Sequence, residues 1–351
     1  MTPQCPSLAP VVRLNSLAVN VPAHELLQED VAAQCIRLFG IEKLAPIYRN
    51  AGIRKRYACT PLAWFLEPHG LAERNDLFLD HAVALMARAA RKALFQGGLE
   101  AGDIDAVVVV TTTGIATPAL DARLMSVLSL RPDIRRAPLF GLGCAGGVIG
   151  LARAADMARA RPGERVLLLA VDLCTLAFLA HDRSRSNMAA TALFGDGAAA
   201  CVLSCREDVG GPILGASHEQ TWPAGPEVMD WDFDDGGLKP RFSRDLPATI
   251  RETVGPVALD FLTREGLSPS RLAGFACHPG GVRVIEALEA AFDLPPGGLR
   301  HTRRVLRDYG NMSVGTVLFV LRAVLDESPK GPVLLTAMGP GFTAGFMLVH
   351  A

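Results

Sequence analysis

The chain reads as an α/β protein built from two related halves, and three observations predict it. Short apolar runs bounded by Gly, Pro or Asp alternate with helix-forming stretches. One turn-helix-strand unit occurs twice. The 351 residues, half of them apolar and a fifth charged, are enough for one large core or two fused ones.

Taken in order, "DAVVVVTTTG" (105–114), "RVLLLAVD" (165–172), "GAAACVLS" (197–204), "LAGFACHPG" (272–280), "GPVLLTAMG" (331–339) and "AGFMLVHA" (344–351) are runs that suit buried strands of a mostly parallel sheet. Between them, "HAVALMARAARKALFQGG" (81–98), "VRVIEALEAAF" (282–292) and "VGTVLFVLRAVLDE" (314–327) carry apolar residues at helical spacing. The repeat appears when "FGLGCAGGVIGLARAADMARARPGERVLLLAVD" is laid over "RDYGNMSVGTVLFVLRAVLDESPKGPVLLTAMG": Cys144 falls on Asn311, and the preceding strands place Thr113 near His278. The halves divide at roughly 1–205 and 206–351, with the less regular 206–250 stretch at the boundary. If they pack about a pseudo-twofold axis, the helices after Cys144 and Asn311 meet at the centre, where the three polar side chains converge.

A formal net charge of −1 gives no electrostatic reason to expect nucleic acid or an anionic membrane as partner. The N-terminal stretch has no long apolar segment preceded by positive charge, and no window reads as a membrane span, so a cytoplasmic protein without integral membrane association is expected. The eight cysteines form no C-x-x-C pair and no regular spacing with histidine, so neither a metal site nor a disulfide framework is indicated. Most suit small, reduced, buried side chains.

Cys144 stands apart. A thiol at the mouth of a helix feels unpaired backbone N–H groups and the positive end of the dipole, which favour thiolate. The glycines around it let the chain turn sharply and an acyl group approach. An imidazole could hold the thiolate as an ion pair, and a side-chain amide could share with it the stabilisation of an oxyanion. Alone, Cys144 reads as packing, His278 as a turn cap and Asn311 as a helix cap. At matching places in two related halves, they read as a nucleophile with two oxyanion donors.

"GLGCAGG", "ALFGDGAAA" (192–200), "CHPGG" (277–281), "YGNMSVGTVLFVL" (309–321) and "MGPGFTAGFML" (338–348) occur in the order and spacing of the type III polyketide synthases. Over nearly its whole length the chain resembles these chalcone synthase-like enzymes of the thiolase fold. The resemblance implies a layered αβαβα arrangement and a homodimer. It also implies an acyltransferase that loads an acyl-CoA starter on Cys144, decarboxylates malonyl-CoA with His278 and Asn311 around its carbonyl, and uses no metal, flavin or nicotinamide cofactor.

The same resemblance places substrate-binding positions at Thr112, Thr117, Cys174, Ala177, Phe194, Trp231, Pro240, Ser313 and Gly339. It places CoA contacts at Lys43, Arg49, Gly280 and Gly281. Asp196, between two glycines, suits a structural turn residue. Pro46 and Asn50 stand where plant members carry basic residues, so the stretch 41–57 fits a solvated basic face as well as a CoA clamp. Cys174 and Ala177 replace two cavity threonines, Pro240 a phenylalanine, Trp231 a glycine and Thr117 a methionine. This combination resembles bacterial members that take fatty acyl-CoA starters and make alkylpyrones or alkylresorcinols. The competing readings are a ketoacyl synthase III-like enzyme making one condensation, a cysteine hydrolase and a non-catalytic scaffold.

Overall fold

The computed structural model describes residues 10–42, 45–223, 228–234, 237–243 and 245–351. In chain order the strands are β1 (Val12–Asn20), β2 (His24–Leu27), β3 (Lys55–Ala58), β4 (Ala106–Thr111), β5 (Arg135–Phe140), β6 (Arg165–Leu173), β7 (Asp196–Ser204), β8 (Ile213–Thr221), β9 (Met229–Asp234), β10 (Gly237–Phe242), β11 (Gly274–Cys277), β12 (Pro332–Gly339) and β13 (Thr343–His350). Among the described residues nine of them form one ladder, β11-β12-β13-β8-β1-β7-β6-β4-β5.

Each of the six apolar runs becomes a strand of this ladder. The expectation of a mostly parallel sheet is corrected: only β11–β12, β4–β6 and β4–β5 run parallel, and the rest are antiparallel. Fully buried strands read as continuous apolar runs in either direction, so composition did not distinguish them. The helix expected from residue 81 begins ten residues earlier, at Leu71, and ends at Gln96.

The duplication is visible in the topology. The sub-ladder β4-β6-β7-β1 has the same sequence of parallel, antiparallel and antiparallel pairings as β11-β12-β13-β8. The two sub-ladders are joined where β1 meets β8, through the pairs Val12↔Leu214 and Arg13↔Ile213.

Alternation along the strands sorts side chains into layers. Val108, Val110 and Leu168 share a core with Leu335, Met347 and the helices Gly146–Ala160 and Thr316–Leu325. Val107, Val109 and Leu169 face the long helix Leu71–Gln96 on the opposite side. Leu334, Phe346 and Leu348 face the helices Gly255–Arg264 and Val282–Ala291. The order is therefore helix, sheet, central helix pair, sheet, helix. Each fully buried Val, Leu or Phe contributes about 1.5–3 kcal/mol of apolar burial, and the central pair draws on both sheets.

Candidate active site

The nucleophile's position is set by two close approaches. β12 ends at Gly339, where a Cβ would lie 2.2 Å from the Leu142 carbonyl oxygen. Gly143 adopts φ +49°, and a Cβ there would lie 2.3 Å from Pro340 Cδ. Residues without side chains at both places allow the tight turn Gly143–Ala145 to pass under β12 and present Cys144 just ahead of the helix Gly146–Ala160. Thr112 supports this turn by accepting a 2.8 Å hydrogen bond from the Gly143 N–H at its Oγ1.

Asn311 arrives from the other half. Its backbone bridges Phe194 in parallel fashion, with N–H donated to Leu193 O at 2.8 Å and its carbonyl accepting from Gly195 N at 2.9 Å. The side-chain Oδ1 accepts from Ser313 N at 2.9 Å and lies 3.9 Å from Cys144 Sγ. With Oδ1 engaged, Nδ2 is the end left to donate to a substrate oxygen. Ser313 Oγ lies 3.8 Å from the same sulfur.

His278 follows β11, its N–H bonded to Thr336 O at 2.8 Å. It is 2% exposed, and neither ring nitrogen has a hydrogen-bond partner among the described residues. Cys144, His278, Asn311, Gly280 and Gly281 all line one cavity of about 440 Å³, so the residues expected to converge do so.

No hydrogen bond joins Cys144 to His278 among the described residues, and burial disfavours the charged form of each. Burial pushes the Cys144 thiol up to about 12; hydrogen bonds to Ser313 and Asn311 oppose the rise and the nearby Asp172 carboxylate adds to it. Burial pushes the His278 imidazole down to about 3.

Asp172, which the sequence did not single out, ties the site together. It is fully buried, and its Oδ1 accepts from the backbone N–H groups of Thr112 at 2.7 Å and Thr113 at 2.9 Å and from the Thr113 hydroxyl at 3.0 Å. Its Oδ2 accepts from Val314 N at 3.3 Å. Burial raises its pKa while these bonds pull it down. One carboxylate thus joins the ends of β4 and β6 to the turn carrying Ser313.

The remaining sequence-predicted residues separate into several places. Phe194 is buried and stacks on Trp231, with ring centroids 5.8 Å apart, and Trp231 faces buried Pro240 across the β9–β10 hairpin. Cys174 and Phe194 border a narrow apolar cavity of about 40 Å³ beside the catalytic one. Ala177 instead lines a third cavity with Leu176, Phe233 and Leu238, so positions 174 and 177 do not form a single wall. Thr117 is exposed on the loop after β4.

Lys43 lies outside the described residues. Arg49 is exposed on the short helix Ala45–Arg49, whereas Ile47, Asn50 and Ala51 line the cavity mouth. Of the other cations in that stretch, Arg54 pairs with Asp308 and Lys55 with Glu25. Buried Arg56 donates to the Thr191, Ala192 and Phe194 carbonyls. Asp196 has the structural role expected: it accepts from Cys59 N and Thr175 N, both at 2.8 Å, and burial lifts it to about 6. Among the described residues, no helix is long and apolar enough to cross a membrane.

Comparison with known proteins agrees with this arrangement. The sequence matches the family profiles of the chalcone and stilbene synthases, the N-terminal domain over residues 20–206 and the C-terminal domain over residues 214–351. It is 35% identical over 343 residues to a 1,3,6,8-tetrahydroxynaphthalene synthase of Streptomyces peucetius subsp. caesius, covering 94% of this chain and 90% of that one. It is 28% identical over 358 residues to the α-pyrone synthesis polyketide synthase-like Pks18 of Mycobacterium tuberculosis, covering 96% and 91%. The crystal structure of PKS-I from the brown alga Ectocarpus siliculosus superposes with a TM-score of 0.93 at 25% identity, covering 99% of this chain and all of the other. With both family domains matched in order and this fold reproduced, the chain belongs to the chalcone and stilbene synthase family, the type III polyketide synthases, which are acyl-condensing transferases.

Proposed function

We propose that this type III polyketide synthase extends a fatty acyl-CoA starter with malonyl-CoA and cyclises the product to an alkylpyrone or alkylresorcinol. The observation that carries the chemistry is the convergence of Cys144, His278 and Asn311 on one cavity. The fatty starter is supported by the apolar wall supplied by Leu193, Met229, Leu246 and Met338, and by the second apolar cavity at Cys174 and Phe194. The M. tuberculosis relative, named for α-pyrone synthesis, adds to that support.

The steps follow from the protonation states. With burial favouring the neutral form of both groups, His278 takes the Cys144 proton as sulfur attacks the starter thioester, and returns it to the departing CoA thiol. In malonyl-CoA the bond to the carboxylate breaks, carbon dioxide leaves, and the electron pair moves onto the thioester as an enolate. The His278 N–H and Asn311 Nδ2 donate to its oxygen. The enolate carbon attacks the acyl-Cys144 carbonyl, and the sulfur leaves. These steps balance without an oxidant or reductant, so the proposal includes no cofactor beyond the CoA thioesters.

The test is incubation with malonyl-CoA and starters from acetyl-CoA to stearoyl-CoA and coumaroyl-CoA, without carrier protein, followed by mass analysis. Affinity is expected to rise by up to about 0.8 kcal/mol per buried methylene until the cavity ends. Cys144→Ala is expected to lose product yet keep malonyl-CoA decarboxylation. His278→Ala and Asn311→Ala are each expected to lose roughly 2.7–4 kcal/mol of decarboxylation transition-state stabilisation. Product formation by Cys144→Ala would overturn the nucleophile. Preference for acetyl-CoA or coumaroyl-CoA over every starter of about eight carbons or more, about six added methylenes, would overturn the fatty reading alone.

A further inference from the structure

One cation of the stretch 41–57, Arg56, has no part in the reaction steps. It lies on β3, is 2% exposed, and has no carboxylate beside it among the described residues. Its charge faces the C-terminal end of the helix Arg185–Leu193 instead. Nη1 donates to Thr191 O at 2.6 Å and to Phe194 O at 3.0 Å, and Nη2 donates to Ala192 O at 3.1 Å. The carbonyl between them, Leu193 O, accepts from Asn311 N at 2.8 Å, and Gly195 N returns a 2.9 Å bond to Asn311 O. Arg56 and the Asn311 backbone thus share one set of helix-end carbonyls. The stem of Arg56 closes the same joint: Cβ atoms built on Gly195 and Gly310 would lie 3.3 Å and 3.5 Å from Arg56 Cβ, so it packs against the chain neighbours of both bridge partners, Phe194 and Asn311. Burial lowers the Arg56 pKa to about 10, so it stays charged at neutral pH, and a cation is favourable at a helix C-terminus.

We infer that Arg56 is a positioning residue for the oxyanion site: it gathers the last carbonyls of the helix Arg185–Leu193, and through the Phe194–Asn311 bridge it sets where the Asn311 amide stands in the cavity. The inference rests on the reading of Asn311 as an oxyanion donor. A guanidinium offers its donors in one rigid plane, so three carbonyls bound to it are fixed relative to one another. A lysine ammonium keeps the charge and loses that fan of directions. Buried carbonyls that lose a donor must find another, and the turn moves to do so. Asn311 is bonded to the turn in both directions and moves with it. Cys144 and His278 hang on other segments, the turn Gly143–Ala145 and the end of β11, so loading of the thiol does not depend on this joint.

The test separates the two half-reactions in Arg56→Lys. Malonyl-CoA decarboxylation is expected to fall about tenfold in kcat at unchanged KM, within the roughly hundredfold that a misplacement of about 1 Å costs. Loading of Cys144 by octanoyl-CoA in a single turnover, read by mass spectrometry, is expected to keep its wild-type rate. In the Asn311→Ala background the same substitution is expected to change decarboxylation by less than about twofold, because the group it positions is gone. Hydrogen exchange is expected to quicken at the Gly195 and Asn311 amides and to stay unchanged along β4. If Arg56→Lys does not fold, Gln28→Met, which takes another donor from the Ala192 carbonyl, is expected to show the same split at about threefold. Equal losses in loading and decarboxylation, the same loss in both backgrounds, unchanged exchange at Gly195 and Asn311, or a Gln28→Met enzyme without the split would overturn the inference. Intact decarboxylation in Asn311→Ala, with exchange quickened in Arg56→Lys, would overturn the functional reading and leave Arg56 holding the segment.

Discussion

Cys144 shows how burial and helix position compete at a single residue. A thiol held near 12 is about one part in 10⁵ thiolate at pH 7, and that fraction grows tenfold with each pH unit. Iodoacetamide should therefore alkylate Cys144 in the free enzyme at a rate that climbs steadily from pH 7 to pH 10. A plateau below pH 7 would instead reveal a preformed ion pair with His278. Rates read by mass spectrometry at Cys144 decide between them. The triad was legible because each member sits in a glycine-marked turn and two of them fall on equivalent positions of the repeat. Asp172 was not, because its meaning lies in partners from other segments: Thr112, Thr113 and Val314 are distant in sequence and meet only after folding.

The decisive feature among the elements is the crossing of the two central helices. A Cβ on Gly147 would lie 2.4 Å from the Val314 carbonyl oxygen and 2.6 Å from Val317 Cγ1. Replacing glycine by alanine inside a helix ordinarily gains about 1 kcal/mol, but overpacking a tight contact costs about 1–3 kcal/mol or more. Gly147→Ala should therefore be destabilising, and it should lower condensation more than its loss of Tm alone implies, because it separates Cys144 from Asn311. Gly102→Ala, with nothing within 4 Å, serves as the control in thermal melts and assays. The apolar strands were legible as runs, and the central helices as apolar periodicity. β1 and β8 were missed because polar residues interrupt them, and strand direction was hidden because neighbours in space, not composition, determine it.

For the whole molecule, the layered order follows from the duplication, and the remaining expectation is a homodimer. β5 forms one free edge of the ladder and ends at Phe140, which is 60% exposed. Ile115 and Phe233 are likewise about half exposed, beside the cavity lined by Ala177. Large exposed apolar side chains gathered near a sheet edge favour burial against another chain, and a second copy is the expected partner. Sedimentation equilibrium should give twice the chain mass, and Phe140→Glu should shift it toward the monomer; an active wild-type monomer would reject the pairing.

The join between the sub-ladders has one more consequence. β1 and β8 share two residue pairs, and the helix layer between the sub-ladders also joins the halves; in the cavity Cys144 comes from one half and His278 and Asn311 from the other. Two identical halves meeting about a true twofold axis would present the same residue twice, two thiols or two amides facing each other. A nucleophile opposite an oxyanion donor is possible only between copies free to differ. Carrying both halves in one chain gives them that freedom: the symmetry that shapes the scaffold is broken at the position where the reaction needs two unlike groups.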